Sequence, residues 1–273
     1  MTDSKAALRA FGALLAAKGL LGAALSSVSE PGVVHLTTGA LCAVALLGAA
    51  RSRPWGATAF VGAAALTVVT SFPHTLNHRW FELVVALVLW RAAVAPVHRS
   101  LRTVVHARVV LQLAILSVFF FSGLQKIAHG QFLSGEHLLR EMAMDDSTMS
   151  WALRKGASVF GSMPSIDATH LVFGSVPLPI SASLVTAVRV TSVGIVGAEI
   201  LLPLGVACGV FGARWLLLAA QIGIGLVSAE IDFALTATGA LLLLWRAPPR
   251  AAWIATFVGW LAVGVVIWGG LLP

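Results

Sequence analysis

Lys126 stands in the run FFFSGLQKIAHGQFLSG at 119–135, and the chain before it is apolar from 113 through 124 apart from small residues such as Ser117, Ser122 and Gly123. An ammonium near hydrocarbon costs several kcal/mol unless it is paired, reaches water or gives up its proton. A lysine that gives up its proton is a base. On helical spacing Ser122, Lys126 and His129 share one face, at i, i+4 and i+7. The plainer alternative is that Lys126 snorkels to the membrane surface as an anchor.

Two further places carry groups suited to proton chemistry. In PHTLNHRWFE at 73–82, Asn77 can cap a helix, and Glu82 lies one turn beyond His78, placed to hold one ring nitrogen and fix its tautomer. The alternative there is a cap beside an Arg79–Glu82 surface pair. In TSVGIVGAEILLPLGV at 191–206, Glu199 is a carboxyl group in the middle of an apolar run, with Ser192 two turns earlier on the same face. Pro203 has no N–H, so the carbonyl of Glu199 loses its helical partner. A hydrogen bond to Gln221 or Ser192 is the plain use of Glu199, while Lys18 and Arg189 are further charges within apolar runs that can neutralise it.

Helices must position these groups. The 273-residue chain is 58 % hydrophobic and 11 % charged, against about 25 % charged in soluble domains, and its mean hydropathy is +0.93. The expected fold is all-α, a polytopic integral membrane helical bundle of about eight to nine transmembrane helices, forming a single domain over 1–273. Apolar runs place spans near 6–27, 32–50, 56–72, 79–95, 107–129, 181–210, 214–229, 231–246 and 251–272. The stretch 214–246 is short for two spans and long for one, so a broken pair is the alternative. Arg9 and Lys18 lie within the first run and no small-residue cleavage site follows it, which reads as a retained first span. Arg51, Arg53, Arg91, Arg99, Arg102, Arg108, Arg214, Arg246 and Arg250 all fall on one side if the N-terminus is cytoplasmic. Lys126 and His78 then share the opposite side.

That opposite side also receives the segment at 130–180. Its first part, 134–144, sets Leu138, Leu139 and Met142 against Glu136, Arg140 and Glu141, the pattern of a short interfacial helix. The remainder reads as a loop with turns. Tryptophans 55, 80, 90, 215 and 245 fall near span ends as an interfacial belt. The net charge of +7 is read as cytoplasmic-face charge, not a nucleic-acid surface. Cys42 and Cys208 are expected as small core residues, and no His/Cys cluster has metal-ligand spacing, so no metal is expected.

At these residues the chain resembles the vitamin K-dependent gamma-carboxylase family and its bacterial relatives, the HTTM (horizontally transferred transmembrane) proteins. That family has an aromatic-rich span ending in small-Gly-x-x-Lys-hydrophobic, an Asn-His before an apolar span, and a Glu-hydrophobic-hydrophobic-Pro stretch in a later span. Lys126, Asn77–His78 and Glu199 to Pro203 match these in turn, over about residues 5–245. The resemblance implies that Lys126 is the catalytic base and that His78 assists by hydrogen bonding. Asn77, Glu82, Ser122, His129 and Glu199 are then the candidate substrate-binding residues. It also implies a reduced naphthoquinone (vitamin K or menaquinone hydroquinone) with O2 and CO2 as co-substrates. In the family scheme a neutral lysine takes a proton from the quinol, oxygen converts the quinol to a strong base, and that base deprotonates a carbon acid that captures CO2. Phe119, Phe120 and Phe121 are expected to give the lysine an apolar pocket that disfavours its charged form.

The chain departs from the family in having no tyrosine and in placing Gln125 before Lys126. The expectation is a membrane core and a base, without a lumenal propeptide-recognition domain. Expected partners are the lipid bilayer, a lipid-soluble quinol and a peptide or small carbon-acid substrate. Competing readings are a quinone-binding redox subunit of DoxX type, a non-catalytic membrane assembly factor and a transporter. Ala- and Arg-rich usage points to a bacterial inner membrane, with the active face away from the cytoplasm.

Overall fold

A computed structural model describes residues 2–29, 32–51, 53–71, 77–95, 100–143, 182–228, 231–245 and 248–268. Among these residues there are ten α-helices and no strand. They are α1 (Thr2–Ser29), α2 (Val33–Ala50), α3 (Pro54–Ser71), α4 (Asn77–Ala93), α5 (Ser100–Ala128), α6 (Glu136–Ala143), α7 (Ala182–Ala207), α8 (Ala213–Ser228), α9 (Ile231–Leu242) and α10 (Arg250–Trp268). Each apolar run expected as a span coincides with one of these helices. A helix is what such runs must form in lipid, because it satisfies every backbone N–H and C=O within the segment.

Among the described residues, four stretches are long and apolar enough to cross a membrane: Ser4–Ala24, Val33–Ala50, Arg102–Ala128 and Ala182–Ala207. Pro54–Thr70, Ala213–Gly225, Phe233–Leu242 and Arg250–Val265 are shorter apolar helices. The α4 helix falls outside both groups, since its 17 residues include Arg79, Glu82 and Arg91. This is a helical membrane protein.

The chain divides into two compact units, Met1–Ile115 with Leu235–Ala262, and Leu116–Ala234 with Val263–Pro273. In the first unit α1 packs on α2, α2 on α3 and α3 on α4. Pro54 opens α3, where a missing N–H costs nothing. A Cβ on Gly48 would lie 2.3 Å from the Cα of Gly56, so α2 and α3 meet backbone to backbone. Every residue at 235–243 is buried. Gly239 lets α9 lie on α1, since a Cβ there would come 2.6 Å from Leu14 and 2.9 Å from Phe11. Arg108 was expected among the loop arginines; instead it is buried and closes the end of α9, donating to the carbonyls of Leu243 (3.0 Å) and Trp245.

In the second unit α7 packs on α8, and α6 packs on α7. Phe132, Leu138, Leu184, Val188 and Val196 form its core cluster. The short helix expected at 134–144 is present at Glu136–Ala143, with Leu138 buried in that cluster. Residues 144–181, which hold the rest of the expected loop, lie outside the described residues. Cys42 is buried as expected, whereas Cys208 is exposed in the turn that ends α7.

Candidate functional site

The SGLQK stretch lies in the last two turns of α5. Gly123 faces α7 there: a Cβ on it would sit 2.6 Å from Ile200 Cγ1 and 3.1 Å from Glu199 Cβ. Its missing side chain allows the two helices to approach until Lys126 reaches Glu199. Lys126 Nζ donates to Glu199 Oε1 and Oε2 at 2.5 and 2.6 Å, and to Ser122 Oγ at 2.9 Å. Ser122 Oγ in turn donates to Glu199 Oε1 at 3.4 Å. The Glu199 side chain is 4 % exposed and that of Lys126 25 %. A buried carboxylate thus faces a lysine that still opens onto free space.

That space is a cavity of about 610 Å³. Ser122, Lys126, Glu199, His137, Thr191 and Gln221 line it, and most of its remaining wall is apolar, with Phe119, Phe132 and Ile195 among the side chains. The turn after α5 carries Phe132 into place. Gly130 and Gly135 hold φ of 65° and 81°, a backbone region that residues with a Cβ avoid. Lys126 Nζ then lies 5.2 Å from the centre of the Phe132 ring, in cation–π range. His137 packs on the other partner of that contact, its ring centre 5.5 Å from that of Phe132.

Among the predicted site residues, Ser122, Lys126 and Glu199 come together. His129 does not join them: α5 ends at Ala128, so the i+7 register is lost, and His129 is exposed in the turn. Glu82 lies in the first unit, bonded by Lys18, by Arg79 (3.4 Å) and by Thr236 (3.1 Å). The expected contact between Glu82 and the His78 ring falls on a side chain outside the described residues. Asn77 and His78 open α4, and their side chains lie outside the described residues.

The partner of Glu199 also differs from expectation. Lys126 takes it, while Lys18 bonds Glu82 and Thr236. Ser192 and Gln221 are buried, and Ser192 Oγ and Gln221 Oε1 have no hydrogen-bond partner among the described residues. The Phe119–Phe121 triplet splits, since successive helical residues point about 100° apart. Phe119 is buried against the cavity and Phe121 is 64 % exposed. Phe132 and His137 also line the cavity, although the sequence pattern does not single them out. The glycines on either side of Phe132 were the available signal, because they mark a tight turn that folds back on the helix.

No protein-family model matches this chain, and no curated protein or solved structure matches it either. The chemistry must be read from the arrangement itself. A lysine and a glutamate in direct contact can exchange a proton, giving either an ion pair or an amine beside a carboxylic acid. Only the second form can accept a proton at nitrogen. The cavity offers a reactant of small-molecule size direct access to Lys126. Among the described residues, no group of three His, Cys, Asp or Glu side chains could hold a metal ion.

Proposed function

We propose that this protein is an integral membrane enzyme that uses Lys126 as a base on a lipid-soluble naphthoquinol, as the resemblance to the vitamin K-dependent gamma-carboxylase family implies. The observation that carries this reading is the Lys126–Glu199 pair lining a cavity whose walls are largely apolar. Its volume of about 610 Å³ lies within the range of about 300–1,000 Å³ common to small-molecule sites. Aromatic and aliphatic walls suit a fused ring, and the polar side chains suit its hydroxyl groups.

Within that reading the residues have distinct tasks. Glu199 takes the proton of the Lys126 ammonium, which leaves an amine able to accept one from a bound hydroxyl group. Ser122 holds Lys126 in its rotamer by accepting a hydrogen bond at 2.9 Å. The Phe132 face favours the ammonium once it re-forms. Phe119 and Leu138 give the chamber apolar walls. The quinol, when bound with O2 and CO2, would supply the reactivity towards a carbon acid. His78 keeps its assisting role, and Asn77 its neighbouring place, on the resemblance alone. A cytoplasmic N-terminus, eight or nine spans, a bacterial inner membrane and a site facing away from the cytoplasm complete the proposal, on the distribution of arginine and on composition.

The deciding experiment is epoxide formation from reduced menaquinone or vitamin K by the purified protein, wild type against Lys126→Ala. Epoxide that is lost in the variant supports the base. Full turnover by Lys126→Ala refutes it. Tight quinol binding without epoxide replaces the enzyme with a redox subunit, and neither binding nor turnover leaves an assembly factor or a transporter.

A further inference from the structure

The polar side chains that line the cavity at Lys126 are Ser122, Lys126, His137, Thr191, Glu199 and Gln221. Four of them are bonded within the protein. Lys126 spends the three N–H groups of its ammonium on Glu199 Oε1, Glu199 Oε2 and Ser122 Oγ. Ser122 donates to Glu199 at 3.4 Å, and Thr191 Oγ1 donates to Ala187 O of its own helix at 2.9 Å. His137 is exposed and packs on Phe132.

Gln221 is unlike the other five. It stands in the middle of α8, is 1 % exposed, and its Oε1 has no hydrogen-bond partner among the described residues. Burying an amide oxygen without a donor forfeits the bonds it made to water, so such groups are nearly always satisfied. Ser192 Oγ is the other buried polar atom without a partner among the described residues, but Ser192 does not line the cavity. The unspent acceptor in this chamber is therefore on Gln221.

The same lack of a donor holds at Lys126. In the ion pair its N–H groups are all engaged, and once Glu199 holds the proton the nitrogen itself is an acceptor. A ligand carbonyl facing Gln221 Oε1 would set two acceptor oxygens against each other, and it finds no free N–H on Lys126. A ligand hydroxyl suits both positions. We infer that Gln221 accepts a hydrogen bond from a second hydroxyl group of the bound ligand, so that the cavity selects an aromatic diol over its dione and over a mono-ol. This rests on the naphthoquinol reading of the cavity and makes Gln221 a specificity-determining residue for the reduced form.

The test measures binding to the full-length protein in detergent under argon, by calorimetry. Three probes share one ring system: menadiol, menadione, and a methylnaphthol that keeps one hydroxyl group. Wild type should bind menadiol about tenfold more tightly than either of the others, a ratio in the range of one hydrogen bond. Gln221→Met is close in shape but lacks the amide. It should bring the ratio of menadiol to naphthol affinity to about one and leave naphthol affinity unchanged. Ser192→Ala removes the other unpartnered atom, away from the cavity, and should keep the tenfold ratio.

Equal affinity of wild type for menadiol and the naphthol overturns the inference. So does a preference for menadione, which would mean that the Gln221 amide donates. These comparisons need no variant, so the question stays answerable even if Gln221→Met fails to fold. Epoxide formation separates the inference from the base assigned to Lys126. A ratio unchanged in Gln221→Met, beside epoxide lost in Lys126→Ala, removes the second hydrogen bond and leaves the base. A ratio lost in Gln221→Met, with no epoxide from wild type, leaves the dihydroxyl pocket and removes the base. Wild type that binds none of the three probes overturns both.

Discussion

Gly123 and Glu199 lie so close that a Cβ on the glycine would stand 3.1 Å from the Cβ of the glutamate. The contact sits one turn before Lys126, so it sets the spacing at which lysine and carboxylate meet. Gly123→Ala should cost about 1–3 kcal/mol through overpacking, and Gly123→Val more. Both should reduce quinol turnover by lengthening the Lys126–Glu199 contact. Gly197→Ala on the facing helix is the control, because its Cβ would meet nothing within 4 Å. It should leave the melting temperature unchanged or raised, since alanine is the better helix former. Thermal unfolding in detergent reads both substitutions; equal effects would remove the steric explanation.

The two halves of the ion pair should not be equivalent. Lys126→Met abandons a carboxylate that is 4 % exposed, whereas Glu199→Leu leaves an ammonium that is 25 % exposed at the cavity. Breaking a buried pair costs about 3–5 kcal/mol, and joint replacement by apolar groups is often neutral. Lys126→Met should therefore fall near the top of that range and Glu199→Leu clearly below it. The double variant should recover most of the stability and none of the quinol turnover. Denaturation midpoints for the four members of the cycle check this, and additive losses would show that the two side chains do not interact.

Much of this arrangement was legible in the residues, and the limits have physical causes. Apolar runs revealed the helices because lipid leaves the backbone no other way to satisfy its polar groups. Ser122 and Lys126 could be placed on one face because both lie on α5, where the period is fixed. Periodicity within one helix says nothing about which other helix it faces, so the residues alone offer Gln221, Ser192, Lys18 and Arg189 to Glu199 and do not single out Lys126. His129 was placed by extending that period past Ala128, beyond the end of the helix. The close approach that brings Lys126 to Glu199 was written at Gly123, but a glycine records a contact without naming its partner.

Two glycines of the lysine motif separate backbone from packing. Gly130 and Gly135 both have positive φ, but a Cβ on Gly130 would meet nothing within 4 Å, while one on Gly135 would lie 3.2 Å from the backbone nitrogen of Arg189. Gly130→Ala should cost only the left-handed term, about 1–2 kcal/mol. Gly135→Ala should cost that and the displacement of α7, and should also shift Phe132 from beneath Lys126. Melting temperatures rank the pair, and quinol affinity should fall more for Gly135→Ala. Identical losses at both positions would mean that the turn does not press on α7.

In the first unit, Lys18 bonds both Glu82 and Thr236 Oγ1, and Thr236 bonds Glu82, so three helices share one polar cluster. Glu82→Gln keeps the shape but removes the charge that balances Lys18, whose side chain is 10 % exposed. The loss should be about 3 kcal/mol or more. Thr236→Val removes only hydroxyl bonds and should cost about 1–2 kcal/mol. If Glu82 acted by orienting His78 instead, Glu82→Gln would lower turnover without lowering the melting temperature. Measuring both on one preparation separates the two roles.

Arg108 gives the last expectation, and it concerns a charge whose value lies in geometry. Its Nε donates to Leu243 O at 3.0 Å, its Nη1 to Ser4 Oγ at 3.1 Å and its Nη2 to Trp245 O, while Gln112 Nε2 donates to the same Leu243 carbonyl at 2.5 Å. The final carbonyls of a helix have no partners within it, and here the guanidinium fork serves those just beyond α9 in a buried setting. Arg108→Lys keeps the charge yet offers one point of donation where a planar fork is needed. Loss of a charged hydrogen bond costs about 1.5–3 kcal/mol, so Arg108→Lys should destabilise nearly as much as Arg108→Gln. Hydrogen exchange at the amides of 235–245 should accelerate in both variants. Protection retained by Arg108→Lys would show that charge, and not the fork, holds the end of α9.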